Sequence, residues 1–149
     1  MNPAITSSRT QYATFQVGGH FLGIEVREVQ EVLREQRLTP VPLAHDAVAG
    51  LINLRGQIVP ELDVRRLFRM PPRDPEELTF SVVVRTDHGA VSLRVDQIDD
   101  VLELDDSSFE AAPQNAEPHL RALMSGVHKL TDRLLIVLNT RQTVNVGAE

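Results

Sequence analysis

One apolar pattern occurs twice in this chain, on either side of a proline-rich joint. That repetition constrains the fold more than any other feature. Ile24, Val26, Val29, Val32 and Leu33 recur as Leu93, Val95, Ile98, Val101 and Leu102, each displaced by 69 positions. Gly50, Leu51, Leu54, Ile58, Val59 and Leu62 recur as Gly126, Val127, Leu130, Leu134, Leu135 and Leu138, displaced by 76 without a gap. Asp63 then matches Asn139, and Arg65 matches Arg141. The joint, residues 69–77 (RMPPRDPEE), holds three prolines and no core-forming pattern, so it reads as a surface connection. A duplicated unit of short strands predicts two small antiparallel barrels of about five strands each, side by side, in an all-β chain with short helices. Val26/Val95 and Leu54/Leu130 should then occupy equivalent core positions. Paired barrels leave a seam, and seams are common binding sites.

Turn signals place the strands within each unit. Tyr12 to Val17 alternates and meets Gly18-Gly19, after which His20 to Ile24 resumes an extended pattern, a hairpin signal. Val26, Val29, Val32 and Leu33 sit at spacings of three and four, which predicts a short amphipathic helix or helical turn over Glu25–Leu33. On it Val26 and Leu33 should point inward and Val29 partly outward. Gly50–Gly56 and Gln57–Leu62 read as strand, turn, strand, with Pro60 marking an edge or a bulge. Asp63 can cap a single turn carrying Val64, Leu67 and Phe68. Leu78–Thr86 with Ala90–Val95, and Ser125–Thr131 with Arg133–Leu138, give two more hairpins. Residues 105–118 read as a loop, and residues 1–11 as a flexible tail ahead of a single domain over 12–147. Its subdomains are approximately 12–70 and 76–147, with strand exchange between them left open.

Composition removes several function classes. The chain has 149 residues and no Cys, which excludes disulfides, thiolate metal sites and Cys nucleophiles. Its net charge is −6, against nucleic acid as a main partner, since phosphate binding needs a clustered positive surface. No apolar run approaches the ~20 residues of a membrane helix, and no signal-peptide core opens the chain, so a soluble cytoplasmic protein without membrane insertion is expected. The five histidines are scattered singly and read as surface or turn residues. Asp99-Asp100 and Asp105-Asp106 read as solvated acids, because neighbours in a strand face opposite ways. No metal, cofactor or catalytic residue is expected. A small carboxylate-dependent hydrolase is the rival reading, and it would need two acids, or an acid and a His, converging on one pocket.

Gly50-Leu-Ile-Asn-Leu-Arg-Gly-Gln-Ile-Val-Pro60, followed by Leu62-Asp63 and Arg65, resembles the signature of CheW-type chemotaxis coupling proteins. Phe15-Gln-Val-Gly, Gly23-Ile24, Val29-Gln-Glu31, Val95-Asp96, Asp100-Val-Leu102, Ala112-Pro113 and Asp132-Arg-Leu-Leu-Ile136 match in the same order, over roughly residues 11–146. Glu61 departs from a usual apolar residue, Asn139 from a frequent Asp and Leu123 from a common Tyr. Glu61 is the awkward one, since a buried carboxylate is costly without a partner, and its strand face is therefore expected to be exposed. The resemblance implies two intertwined SH3-like barrels, no catalysis, and an adaptor joining chemoreceptor tips to the regulatory domain of a CheA-type histidine kinase, with ring assembly alongside the kinase. A coupler of a related motility pathway is the alternative.

Asn53-Leu54-Arg55-Gly56 has two readings from its residues alone. It is a tight turn with Gly56 at positive φ and Arg55 solvated at the tip, or it presents Arg55 as a planar fork for partner carboxylates. The resemblance implies the second and makes Asn53, Arg55 and Gly56 interface residues. It likewise implies receptor or kinase contacts at Val29, Glu31 and Val101, in an apolar groove between the barrels that could dock a helical hairpin.

Overall fold

The computed structural model describes residues 8–148. The first hairpin pairs β1 (Arg9–Val17) with β2 (His20–Glu25) across the Gly18-Gly19 turn. A 3-10 turn (Val26–Glu28) leads into β3 (Val29–Arg34), then β4 (Val48–Leu54), β5 (Gln57–Asp63) and the single-turn helix α1 (Val64–Leu67). The second half runs β6 (Phe80–Thr86), β7 (Gly89–Val95), β8 (Gln97–Asp105), a 3-10 turn (Asp106–Ser108), β9 (Phe109–Glu110), α2 (Pro118–Leu123), β10 (Met124–Lys129), β11 (Leu134–Leu138) and α3 (Thr140–Ala148). Arg9–Gln11, expected to be tail, belong to β1 and pair with β8. The rest of the expected tail, residues 1–7, lies outside the described residues.

These strands form two sheets, in the orders β8-β1-β2-β11-β10-β9 and β3-β6-β7-β5-β4. The two halves therefore exchange strands reciprocally. Each sheet takes the leading hairpin of one half and the later strands of the other. The registers repeat with the sequence: Ala13 opposes Ile24 in one sheet, and Val82 opposes Leu93 in the other. Bulges repeat as well, between Val48 and Gly50 and between their counterparts Met124 and Gly126. The expected barrels differ in two respects. Each sheet contains one parallel pair, β2 with β11 and β5 with β7. Among the described residues, neither sheet closes by hydrogen bonding its end strands to each other. Parallel pairing is possible because the crossover passes through the other half of the chain.

Burial follows the exchange. Phe15, Val17, Leu22 and Ile24 of the first sheet pack with Leu62, Val82, Val84, Leu93 and Val95 of the second in one shared core. Each sheet also curls around a small cluster of its own. Tyr12, Phe21, Leu135 and Val137 form one, with Leu102 and Leu130 packed against it. Ile52, Leu54, Val59 and Val83 form the other, with Leu33 and Ala90. Leu54 and Leu130 hold equivalent places, as the repeat requires. Val26 does not match Val95: it lies half-buried in the 3-10 turn, whereas Val95 is fully buried at the end of β7.

Three further expectations are corrected. Of the helix or helical turn expected over Glu25–Leu33, only a 3-10 turn at Val26–Glu28 forms, and the rest is a strand with a bulge between Val29 and Glu31. Turn plus bulge imitates the three-and-four spacing of a helix. Pro60 lies in an interior strand instead of an edge, close to the bulge of the β4–β5 ladder, and pairing with β7 begins at Glu61, immediately after the residue that lacks an N–H. The 69–77 joint is only partly a surface feature. Met70 packs on the shared core, and the Arg73 side chain is 9% exposed, bonded to Asp63 Oδ2 at 2.8 Å and to Asp96 Oδ1 at 2.9 Å.

Candidate protein-interaction site

The β4–β5 turn is built to hold one arginine in an unusual backbone state. Arg55 has φ 53° and Gly56 φ 85°, the pair of positive values that a two-residue hairpin of the primed type requires. Glycine adopts such a φ freely, whereas an L side chain rarely does. Asn53 Oδ1 accepts the Gly56 N–H at 2.8 Å and fixes the turn. Arg55 reaches back to β3 and grips Glu31 with both arms of its fork, Nη1 to Oε2 at 2.7 Å and Nη2 to Oε1 at 2.6 Å. β3 and β4 are the two end strands of the five-stranded sheet. The ion pair thus spans the two end strands, which are also linked through the Thr39–Leu51 backbone bridge formed by the chain after β3. The Arg55 side chain stays 71% exposed while Glu31 is 18% exposed, so the guanidinium still faces solvent. Its hydrogen bond holds the Glu31 carboxyl below the usual range, and Glu31 in turn raises the Arg55 guanidinium.

Of the residues expected to contact partners, Glu31, Asn53, Arg55 and Gly56 come together at this one end of the sheet. Val29 and Val101 do not join them. Val29 opens a strand rather than lying on a helix, and it packs against the shared core, as does its counterpart Ile98. Its side chain is half-buried, so it rests on the core while keeping the partly outward placement expected of it. Val32 is the residue that points out, 42% exposed. Val101, the counterpart of Val32, is 57% exposed on β8 in the other sheet. Sequence reasoning also missed Ile58, which opposes Asn53 in the β4–β5 ladder and is 60% exposed. Its signal was alternation: Val59 is fully buried, so Ile58 must face the other way.

Two cavities are lined mainly by polar and charged side chains. One of about 320 Å³ lies near the start of α3 and is lined by Tyr12, Glu25, Glu28, Asp106, Asn139 and Arg141 among others. Another, of about 250 Å³, sits beside the 69–77 joint and is lined largely by Arg65, Arg66, Arg73, Arg94 and acids. Among the described residues no group of three or more His, Asp or Glu side chains is arranged to hold a metal ion. Two expectations about polar groups also fail. Glu61 is fully buried rather than exposed: Ser81 Oγ donates to its Oε1 at 2.6 Å, and Arg94 Nε lies 3.9 Å away. Burial pushes its carboxyl up, against the hydrogen bonds of Ser81 and Ser92 and the charge of Arg94. His128 is buried too, not at the surface.

A family model for the CheW-like domain matches residues 11–147. The chain is 28% identical to the chemotaxis protein CheW of Klebsiella aerogenes over 135 residues, which is 91% of this chain and 81% of that protein. It is 38% identical to protein FrzA of Myxococcus xanthus over a shorter stretch of 56 residues, 38% of this chain and 35% of that one. The crystal structure of the scaffolding protein TtCheW from Thermoanaerobacter tengcongensis superposes with a TM-score of 0.80 at 24% identity, covering 89% of this chain and 90% of that one. Proteins of this kind are non-catalytic scaffolds of chemotaxis signalling, which removes the hydrolase reading. A matched span running from β1 into α3, together with the shared two-sheet fold, establishes that this chain belongs to the CheW-like domain family.

Proposed function

We propose that this chain is a bridging adaptor that binds a chemoreceptor cytoplasmic tip and the regulatory domain of a CheA-type histidine kinase at the same time, in the cytoplasm and at membrane receptor arrays. Ring assembly with the kinase belongs to the same reading. The observation that carries it is the Arg55 clasp. A guanidinium held at positive φ and oriented by Glu31, at a turn flanked in its ladder by exposed Ile58 opposite Asn53, is a preorganised charged contact. Interfaces concentrate their energy in such arrangements, with arginine prominent among the anchors. Asn53 and Gly56 position the clasp, and Glu31 aims it. Val29, half-buried at the start of β3, and Val101, on the other sheet, are separate contacts, and Val32 adds an exposed apolar side chain on β3. A related motility pathway is the second reading, favoured by the local match to FrzA; the mechanics would be the same with different partners.

The test is Arg55→Ala, with binding titrations against the kinase regulatory domain and a receptor-tip fragment, and thermal melts alongside. Binding to at least one partner is expected to weaken by about tenfold or more, the range of a charged contact at an interface, with the melt little changed. Full binding by a folded variant would return Arg55 to a plain turn residue.

A further inference from the structure

We infer that His128 is the pH-sensitive lock of a strap, residues 106–110, that covers the outer edge of β10. The strap is slight. Its strand β9 is two residues long and pairs with β10 only through Glu110 opposite Val127 and Phe109 opposite His128. It lies so close that a Cβ added at Gly126 would collide with the Glu110 carbonyl oxygen and the Phe109 ring. The first half has a counterpart over Gly50, at the Thr39 backbone, but no histidine there. In the second half the His128 ring holds the strap twice. Its Nδ1 lies 2.8 Å from Ser108 Oγ, and Phe109 meets the ring edge-on with centroids 5.4 Å apart.

Hydrogen-bond accounting fixes the protonation state that closes the lock. Ser108 donates its single hydroxyl proton to the Asp105 carbonyl at 2.9 Å, so it accepts from Nδ1–H of His128. Nε2, 3.2 Å from the Tyr12 hydroxyl, then accepts the phenolic proton. The neutral ring is fully satisfied. A second proton at Nε2 opposes the Tyr12 donor and creates a buried cation. The groups packed around it are Tyr12 of β1, Asp106 and Ser108 of the 3-10 turn, Phe109 and Glu110 of β9, and Lys129, which pairs with Glu110 at 3.4 Å. Among the described residues no carboxylate bonds the ring: Asp106 is engaged by Thr10 Oγ1 at 2.6 Å, and Glu25 acts on the Tyr12 phenol instead. Burial accordingly holds the imidazole below its ordinary value, with Asp106 opposing weakly. Opening the strap lets water reach the Nδ1 side, and the short β9 ladder is the least costly contact to give up.

The sign follows from that depressed value. The strap is fully locked above about pH 6.5, the ordinary imidazole value, and loosens as pH falls below it. Amide hydrogen exchange, corrected for intrinsic rates, would be followed by NMR at Ser107–Glu110 and Gly126–Lys129 in the whole chain at pH 7.5 and 5.5. Protection is expected to fall by up to about tenfold in the parent, the limit set by an open-strap imidazole titrating near 6.5. His128→Asn, which keeps a donor toward Ser108 but does not titrate, is expected to show no such fall. Ser108→Ala should loosen the same amides already at pH 7.5. The inference is overturned if His128 titrates in the parent while these amides stay protected, the Tyr12 hydroxyl having turned to Thr10 so that its oxygen accepts from a protonated Nε2 with the strap still closed. Equal loss of protection in parent and His128→Asn would overturn it as well.

Discussion

Glu61 shows how far a single residue can depart from the repeat that surrounds it. Its counterpart Val137 is a buried apolar side chain, and both occupy the same place beside the parallel strand. A carboxylate there keeps one oxygen, Oε2, without a hydrogen-bond partner, and Arg94 Nε also lacks a hydrogen bond. The Ser81 and Ser92 hydroxyls and the nearby Arg94 charge supply the compensation. Their counterparts in the other sheet, Tyr12 and Gly23, face an apolar side chain and owe it nothing. Because burial raises the folded-state value, the ionised form costs stability above it. That cost is relieved as pH falls toward the ordinary value of 4.5. Denaturant melts of the parent and of Glu61→Gln at pH 7 and pH 5 test this. The parent should gain on the variant by on the order of 1 kcal/mol as pH falls, and a constant gap would mean that burial does not raise the Glu61 carboxyl, which would then be ionised in the folded protein at both pH values. Arg55 is the opposite case: its unfavourable backbone state is matched by a partner that uses both arms of the fork, and the residue stays open to solvent.

Between elements, the joint is held by a pin of charges. Asp96, just after β7, accepts the Gly18 N–H of the β1–β2 turn at 2.7 Å, Arg65 Nη2 of α1 at 2.8 Å and Arg73 Nε of the joint at 2.9 Å. Burial alone would raise its carboxyl, but these bonds outweigh it and hold it below the ordinary 3.8. Asp96→Asn leaves two arginines short of a partner and is expected to cost about 3 kcal/mol at pH 7, in the range for breaking a buried ion pair. The parent should lose the corresponding stability only as pH falls below about 3.8, through the depressed value, while the variant lacks that acid transition. Equal pH profiles would show that Asp96 contributes little. The pin is not legible in the sequence, because Asp63, Arg65, Arg73 and Asp96 are brought together only by the strand exchange. The hairpins are legible, since Gly turns and period-two alternation are local signals. β3 reads as helix because the 3-10 turn and the bulge shift the apolar phase. α2 and α3 leave weaker marks: Pro118 at the first helical turn, and Asn139 Oδ1 accepting the Gln142 N–H at 3.1 Å. Of the candidate site, the turn residues can be read from Asn53-Leu-Arg-Gly56, but the clasp to Glu31 joins opposite ends of a sheet and needs the fold.

At the scale of the molecule, the duplication is real in register as well as in apolar pattern, and the exchange makes the two halves interdependent. Residues 1–70 lack the β6–β7 hairpin at the centre of their sheet, and residues 71–149 lack β1–β2 at the centre of theirs. Expressed alone, each half should be largely unfolded by circular dichroism, and mixing the two should restore native signal. A half that folds by itself would contradict the interdependence. The Arg55 clasp lies on one sheet and exposed Val101 on the other, which suits the bridge proposed above. The most direct test is whether one copy of the chain holds both partners at once. The purified chain, the kinase regulatory domain and a receptor-tip fragment would be mixed and analysed by sedimentation velocity. The account predicts a species containing all three that disappears when the chain is omitted. Two separate binary complexes, with each partner displacing the other from the chain, would contradict it.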